Sequence, residues 1–206
     1  MMHDLEPISS PTAVKIVDAA GQLFMQRGYK AVSINDIIRA ADVTKPTLYY
    51  YFADKEELFV QMGLRVLQEM GVRLQVAATL AGDTTARLQA LAAVVMDGQD
   101  RDMRMMRHEM LEHLGPANRD RLARAFFRHL FRPVLQVMEQ GVADGVLGHY
   151  PPVTLANLFL SVGEACREVT IDGRMAAWAA ESGIAMDARP LSASQMVDLF
   201  LHGVAA

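Results

Sequence analysis

Between Ser33 and Lys55 the chain reads SINDIIRAADVTKPTLYYYFADK, and this stretch constrains the fold more than any other. Ser33 followed three residues later by Asp36 is a helix start signal, because an N-cap hydroxyl and an N3 carboxylate satisfy each other's free backbone amides. Ile34, Ile37, Ile38 and Ala41 then fall at helical spacing and give that helix one narrow apolar face. Ala41-Asp42-Val43 leaves room only for a tight turn. Thr44 repeats the cap signal, and Val43 is placed to staple onto Leu48. A second short helix is predicted from Lys45 to about Phe52, with Leu48 and Phe52 on its inner face. Two short helices joined by so compact a turn have the plan of a helix-turn-helix.

The outer face of the second helix carries more polar chemistry than a core needs. Three consecutive tyrosines at helical spacing cannot all enter one small core, so Tyr49 and Tyr50 are expected outside, and Tyr51 toward the inner side. Lys45 can reach guanine O6/N7 or a phosphate, and Thr47 can touch a thymine methyl or a base edge. Tyrosine hydroxyls, Ser33 and the free amides beside it suit phosphate oxygens, and Lys55 is placed to reach the flanking backbone. The expected partner is double-stranded DNA. Net charge is −4 and pI about 5.8, so bulk attraction to nucleic acid is excluded as the basis of binding. From Arg27 to Lys55 five cations face three acids, a slight local lean only.

The flanking sequence reads as further helices. Ser10-Pro11 opens the first, whose stripe is Ile16, Ala20, Leu23 and Phe24, and Gly28 closes it with Tyr29 folding back. Asp54 with Glu57 predicts a second capping box, on a fourth helix running to about Ala81. Later helices are predicted over Thr84–Asp97, Gln99–Leu114, Asn118–Asp144, about Val153–Ala180 and Ser192–Gly203. Pro133 lies inside the seventh and removes one backbone hydrogen bond, so a kink or a split is expected there. Alternating β-branched runs are missing, and 51% of 206 residues are hydrophobic, enough for a sizeable core. The expectation is an all-α chain of about nine helices. A three-helix domain would span 10–54, with its helix-turn-helix at about 33–52, and a larger helical body would span 55–206.

IVDAAGQLFMQRGY, SINDIIRAADV, KPTLYYYF and DKEELF, between Ile16 and Phe59, resemble the DNA-binding domain of the TetR family of bacterial transcriptional regulators. The resemblance covers roughly the first quarter of the chain; beyond it only the helical layout is similar. It implies a homodimer joined by a four-helix bundle of the last two long helices, a ligand cavity in the body, and a pseudo-palindromic operator. The implied protein is a repressor released by a small apolar or amphipathic effector. By position, Ser33 and Asn35 match phosphate- and base-contacting spots, and Lys45, Pro46 and Thr47 match base-reading ones. Tyr49 and Lys55 match the usual phosphate contacts. Asp42 departs from the glycine common in the turn, though Asp tolerates left-handed backbone. Asn35 stands where a longer basic residue is common.

In the body, Met103, Met106, Met110, Phe127, Phe131 and Met138 are expected to wall an adaptable ligand pocket. Leu155, Leu158, Phe159 and Val162, with Met196, Leu199 and Phe200, are expected to face a second copy and bury ~1,600 Å² or more. The segment from Arg107 to His113 nearly spells HExxH, but its second histidine comes one residue late. His108/Glu112 and Glu109/His113 are still i,i+4 pairs that could grip a metal. The alternative class is therefore an all-helical metal- or small-molecule-binding protein or enzyme. The favoured reading has no metal, no cofactor and no catalytic role. Cys166 is the single cysteine, so no intrachain disulfide forms and a reducing compartment is expected. The N-terminus lacks a signal-peptide core, and no apolar run would span a bilayer, so a cytoplasmic protein is expected.

Overall fold

The computed structural model describes residues 8, 10–97, 103–167, 178–183 and 191–203, and among these every regular element is helical. The order is α1 (Pro11–Arg27), α2 (Ile34–Ala41), α3 (Lys45–Tyr51), α4 (Lys55–Ala78), α5 (Thr84–Met96), α6 (Met103–His113) and α7 (Pro116–Phe126). A π turn (Phe127–Phe131) leads into α8 (Arg132–Ala143), followed by α9 (Pro152–Arg167), α10 at 178–181 and α11 (Ala193–His202). Two compact units emerge: Met1–Val72 with Gln99–Leu130, and Arg73–Gly98 with Phe131–Ala206. The first unit runs past Asp54, where the sequence places its boundary.

In the first unit, α1 packs on α2 and α3, which also pack on each other. Pro11 sits at N1, and Ser10 has extended N-cap backbone. The Ser10 hydroxyl makes no cap bond; it donates to the Tyr51 hydroxyl at 3.1 Å. Gly28 ends α1 at φ 78°, and its amide donates to the Phe24 carbonyl at 2.8 Å. Tyr29 then folds back, its ring centroid 5.5 Å from Phe24 and 5.3 Å edge-on to Phe59. Ile16, Phe24, Ile37, Leu48, Leu58 and Phe59 are essentially inaccessible. Each such side chain contributes about 1.5–3 kcal/mol by leaving water.

The Asp54 carboxylate caps α4, accepting from the Glu57 amide at 2.8 Å. The second half of the predicted box is not made. Glu57 instead accepts from Arg121 Nη1 at 2.6 Å and Nη2 at 3.1 Å, and from Gln61 at 2.7 Å. A two-pronged guanidinium is a stronger partner for a carboxylate than a neutral amide, so α7 wins Glu57 from the cap. Glu56 Oε1 accepts from the Gly115 amide and the Asn118 carboxamide, both at 2.8 Å. Gly63 admits Leu122: a Cβ there would stand 2.8 Å from Leu122 Cδ2. These contacts are why the first half of α4 stays with α7 rather than beginning a separate domain.

The second unit packs α5 against α8, α9 and α11. Gly163 lets α9 press on α5, where a Cβ would meet Val95 Cγ1 at 2.5 Å. Asp83 caps α5, and Ser192 with Gln195 forms a complete capping box on α11. The predicted seventh helix becomes α7, the π turn and α8. Pro133 cannot donate to the carbonyl four residues back, and the wider turn before it absorbs that break. α4 ends at Ala78, short of Ala81, where the Thr79 hydroxyl takes the Gln75 carbonyl at 2.8 Å. Residues 99–102 of the predicted sixth helix and 168–177 of the eighth lie outside the described residues.

Candidate nucleic-acid interface

The helix-turn-helix is built from local bonds. The Ser33 hydroxyl accepts from the Asp36 amide at 3.2 Å, and Asp36 Oδ2 accepts from the Ser33 amide at 3.0 Å. The Asp36 carboxyl is held below its ordinary range, first by the Ser33 hydroxyl bond and then by the amide bond. Asp42 takes the turn at φ 48°, ψ 57°, the one non-glycine residue with positive φ among those described. The Val43 amide then donates to Ile38 O at 3.2 Å. Thr44 caps α3, its hydroxyl accepting from the Thr47 amide at 3.3 Å. Leu48 and Phe52 are buried beneath, as the sequence pattern requires.

This packing leaves a continuous outer face. Ser33, Asn35, Thr44, Lys45 and Pro46 are exposed, Thr47 is half-buried, and Tyr49 and Tyr50 are 45% and 82% exposed. Lys45 Nζ lies 5.9 Å from the Tyr49 ring centroid, a cation–π pair pointing outward. The Thr44 and Thr47 hydroxyls are 2.7 Å apart, so each has a partner before any ligand arrives. Tyr51 is half-buried, edge-on to Tyr50 at 4.9 Å and tied to Ser10.

Lys55 lies apart from that face in its chemistry. Its Nζ donates to the carbonyls of Tyr29 and Val32, both at 3.0 Å, and stands 4.2 Å over the Tyr29 ring. Burial lowers its pKa, while Glu109 pulls the other way. The ammonium that the sequence assigns to the DNA backbone thus holds the α1–α2 connection. Glu109 and His113, paired in the sequence as possible metal ligands, meet this site instead. His113 Nε2 is 3.2 Å from Glu109 Oε2, and its ring stacks on Tyr29 at 5.4 Å. That i,i+4 pair was legible as a metal candidate, but the aromatic surface it closes against lies far away in sequence. His108 and Glu112 are exposed. No group of three metal-capable side chains occurs among the described residues.

The body sets are redistributed. Leu155, Phe159 and Met196 are buried in the second unit's own core, with Phe159 edge-on to Phe200 at 5.2 Å. They are core residues of one chain and leave no side chain for a partner. Leu158 is 50% exposed, and Val162, Leu199 and Phe200 are half-buried. Met106, Met110 and Phe127 fall in the first unit, while Phe131 and Met138 fall in the second. Met138 is fully buried and Phe127 is 55% exposed. Met and Phe at helical spacing fill a core as readily as they line a cavity, and the pattern alone does not separate the two. The Met103 side chain lies outside the described residues.

A capped pair of short helices, a left-handed turn and a polar, aromatic outer face define a helix-turn-helix DNA-binding protein. Residues 16–62 match the family of bacterial regulatory proteins named for tetR. The chain is 26% identical over 157 residues to the HTH-type transcriptional repressor KstR2 of Rhodococcus jostii, covering 71% of this chain and 72% of that one. It is 42% identical over 55 residues to the uncharacterized HTH-type transcriptional regulator YhgD of Bacillus subtilis, 27% of this chain and 29% of that one. A solved bacterial regulatory protein of the tetR family from Rhodococcus RHA1 superposes with TM-score 0.71 at 19% identity, over 95% and 98% of the two chains. Residues 16–62 thus carry a DNA-binding domain of the tetR kind, and over most of its length the chain is similar to a transcriptional repressor and shares the fold of a tetR-family regulator.

Proposed function

We propose that this chain represses transcription as a homodimer that reads a pseudo-palindromic operator and lets go when a small apolar or amphipathic effector enters its helical body. The observation that carries the DNA reading is the division of α3: Leu48 is buried beneath it while Lys45, Pro46, Tyr49 and Tyr50 stand outside. Lys45 and Thr47 face base edges, and Pro46 and the Thr47 methyl pack against them. Ser33, Asn35, Thr44, Tyr49 and Tyr50 address the phosphates on either side. Lys55 supports the head from behind. The dimer seam uses Leu158, Val162, Leu199 and Phe200, the members of the apolar set left accessible. In this role the chain works in the cytoplasm and has no catalytic centre.

Two copies related by a two-fold axis require half-sites one helical turn of DNA, or a multiple, apart. Effector binding favours a dimer whose heads miss that spacing, and by reciprocity DNA weakens effector binding by the same factor. Selection of bound fragments from sheared genomic DNA by the purified protein tests the reading. Enrichment of an inverted repeat is expected. Enrichment of fragments without internal symmetry, or none, would overturn it.

A further inference from the structure

A cavity of about 380 Å³ opens in the first unit between α1 and α4 and is closed at one side by His129 of the π turn. That volume lies in the range of small-molecule sites, roughly 300–1,000 Å³. No residue of α2 or α3 lines it. Its apolar walls include Val14 and Val17 from α1 and Leu64 from α4; Gln68, His129 and the Arg65–Glu69 ion pair are among the groups that supply polarity.

The surroundings keep this space open, and the charges on its wall are paired with each other. Gly71 is the reason His129 can approach: a Cβ there would stand 2.7 Å from His129 Cβ and 3.0 Å from its carbonyl oxygen. Burial, with Arg128 beside it, lowers the His129 pKa, so at neutral pH the ring both donates and accepts. Arg65 is already committed at the rim, with Nη1 3.0 Å from Asp18 Oδ1 and Nε 2.9 Å from Glu69 Oε1. An anionic ligand would meet those two carboxylates. A cationic one would sit beside Arg65 with no carboxylate to itself.

We infer that the α1–α4 cavity is a second effector site, for a small neutral molecule with an apolar body and one hydrogen-bonding tip. The tip meets the His129 ring and the Gln68 carboxamide, and the body lies on Val14, Val17 and Leu64. α1 is the helix on which α2 and α3 pack, so an occupant acts on the DNA-binding head directly.

Three probes share one ring system and differ in charge: 1-naphthol, 1-naphthoate and 1-naphthylmethylamine. Calorimetric titration of the full chain is expected to give one sub-millimolar site for 1-naphthol, with the two charged probes at least about tenfold weaker. Nuclear Overhauser contacts from naphthol protons should reach the Val14, Val17 and Leu64 methyls. Val14→Trp or Gln68→Trp, each filling the cavity from a different wall, should abolish binding. Saturating 1-naphthol should change affinity for the selected DNA by threefold or more, and the filled variants should lose that response. Absence of naphthol binding, contacts to other methyls only, equal binding of a charged probe, or unchanged DNA affinity at saturation would each overturn the inference. Failure to select any DNA would instead count against the operator reading, while the titration still judges the site.

Discussion

Lys55 holds Tyr29 at two points, its Nζ 3.0 Å from the Tyr29 carbonyl oxygen and 4.2 Å from the centre of the ring. The same ammonium takes the Val32 carbonyl, so one side chain fastens the connection between α1 and α2. Hydrogen bonds to a charged group contribute about 1.5–3 kcal/mol each when buried. Part of that is screened here. Lys55→Met is expected to cost about 1–2 kcal/mol in denaturant unfolding. It should leave the salt dependence of DNA binding unchanged; a smaller salt slope would return Lys55 to the phosphates.

Asp42 occupies left-handed backbone that costs an ordinary residue about 1–2 kcal/mol. Asp42→Val is expected to lose an amount of that order in thermal or denaturant unfolding. Asp42→Gly should be nearly neutral, since relief in the turn is offset by the freer unfolded chain. Equal stability of the Val and Gly variants would mean the turn readjusts.

Glu57 and Arg121 join α4 to α7 across 64 positions of sequence, both half-buried. A double-mutant cycle of Glu57→Gln and Arg121→Met should give a coupling of about 1–2 kcal/mol. A coupling near zero would make the pair a surface contact of the weak kind.

Acid should loosen the first unit by a definite route. Burial alone would raise the Glu57 pKa, but the Arg121 and Gln61 bonds and the Arg121 charge outweigh it, and the net shift is downward. The Asp36 pKa is lowered by Ser33. A carboxyl whose folded pKa lies below its unfolded value stabilises above that unfolded value, about 4. The contribution is lost as pH falls through the lower folded value. Asp36→Asn and Glu57→Gln should therefore flatten the acid limb of the stability profile below about pH 4. An unchanged limb in both would count against these bonds.

On α9, neighbouring residues divide between core and surface. Phe159→Ala should destabilise by about 3–5 kcal/mol, because a fully buried ring leaves a cavity. Leu158→Glu should keep the fold and shift sedimentation toward a single chain. Retention of the dimer in Leu158→Glu would move the seam elsewhere.

Much of the head was legible because its determinants are local. Ser33 with Asp36, Thr44, Gly28, and the Leu48/Phe52 face each act within a few residues. The remainder depends on distant partners. Nothing near Glu57 announces Arg121, and nothing near Lys55 distinguishes a phosphate from the Tyr29 carbonyl. Periodicity marked α9 and α11 as apolar on one side, but it does not say whether that side meets its own chain or another. Phe159 and Met196 lie in the chain's own core for that reason, and Leu158 lies exposed. Pro133 located the break in the long helix, whereas the π turn that resolves it is set by packing.

The central claim is that the outer face of α3 contacts DNA. It is tested most directly by the salt dependence of binding to the selected fragment, for the wild-type chain and for Lys45→Ala and Tyr49→Phe. For the wild type, log K should fall linearly with log salt, each phosphate contact by a cation contributing a slope of about 0.9. Tyr49→Phe should weaken binding to all sequences alike, and Lys45→Ala should either lower the slope by about one contact or relax the base preference. A flat salt profile, or both variants binding as the wild type does, would contradict the assignment.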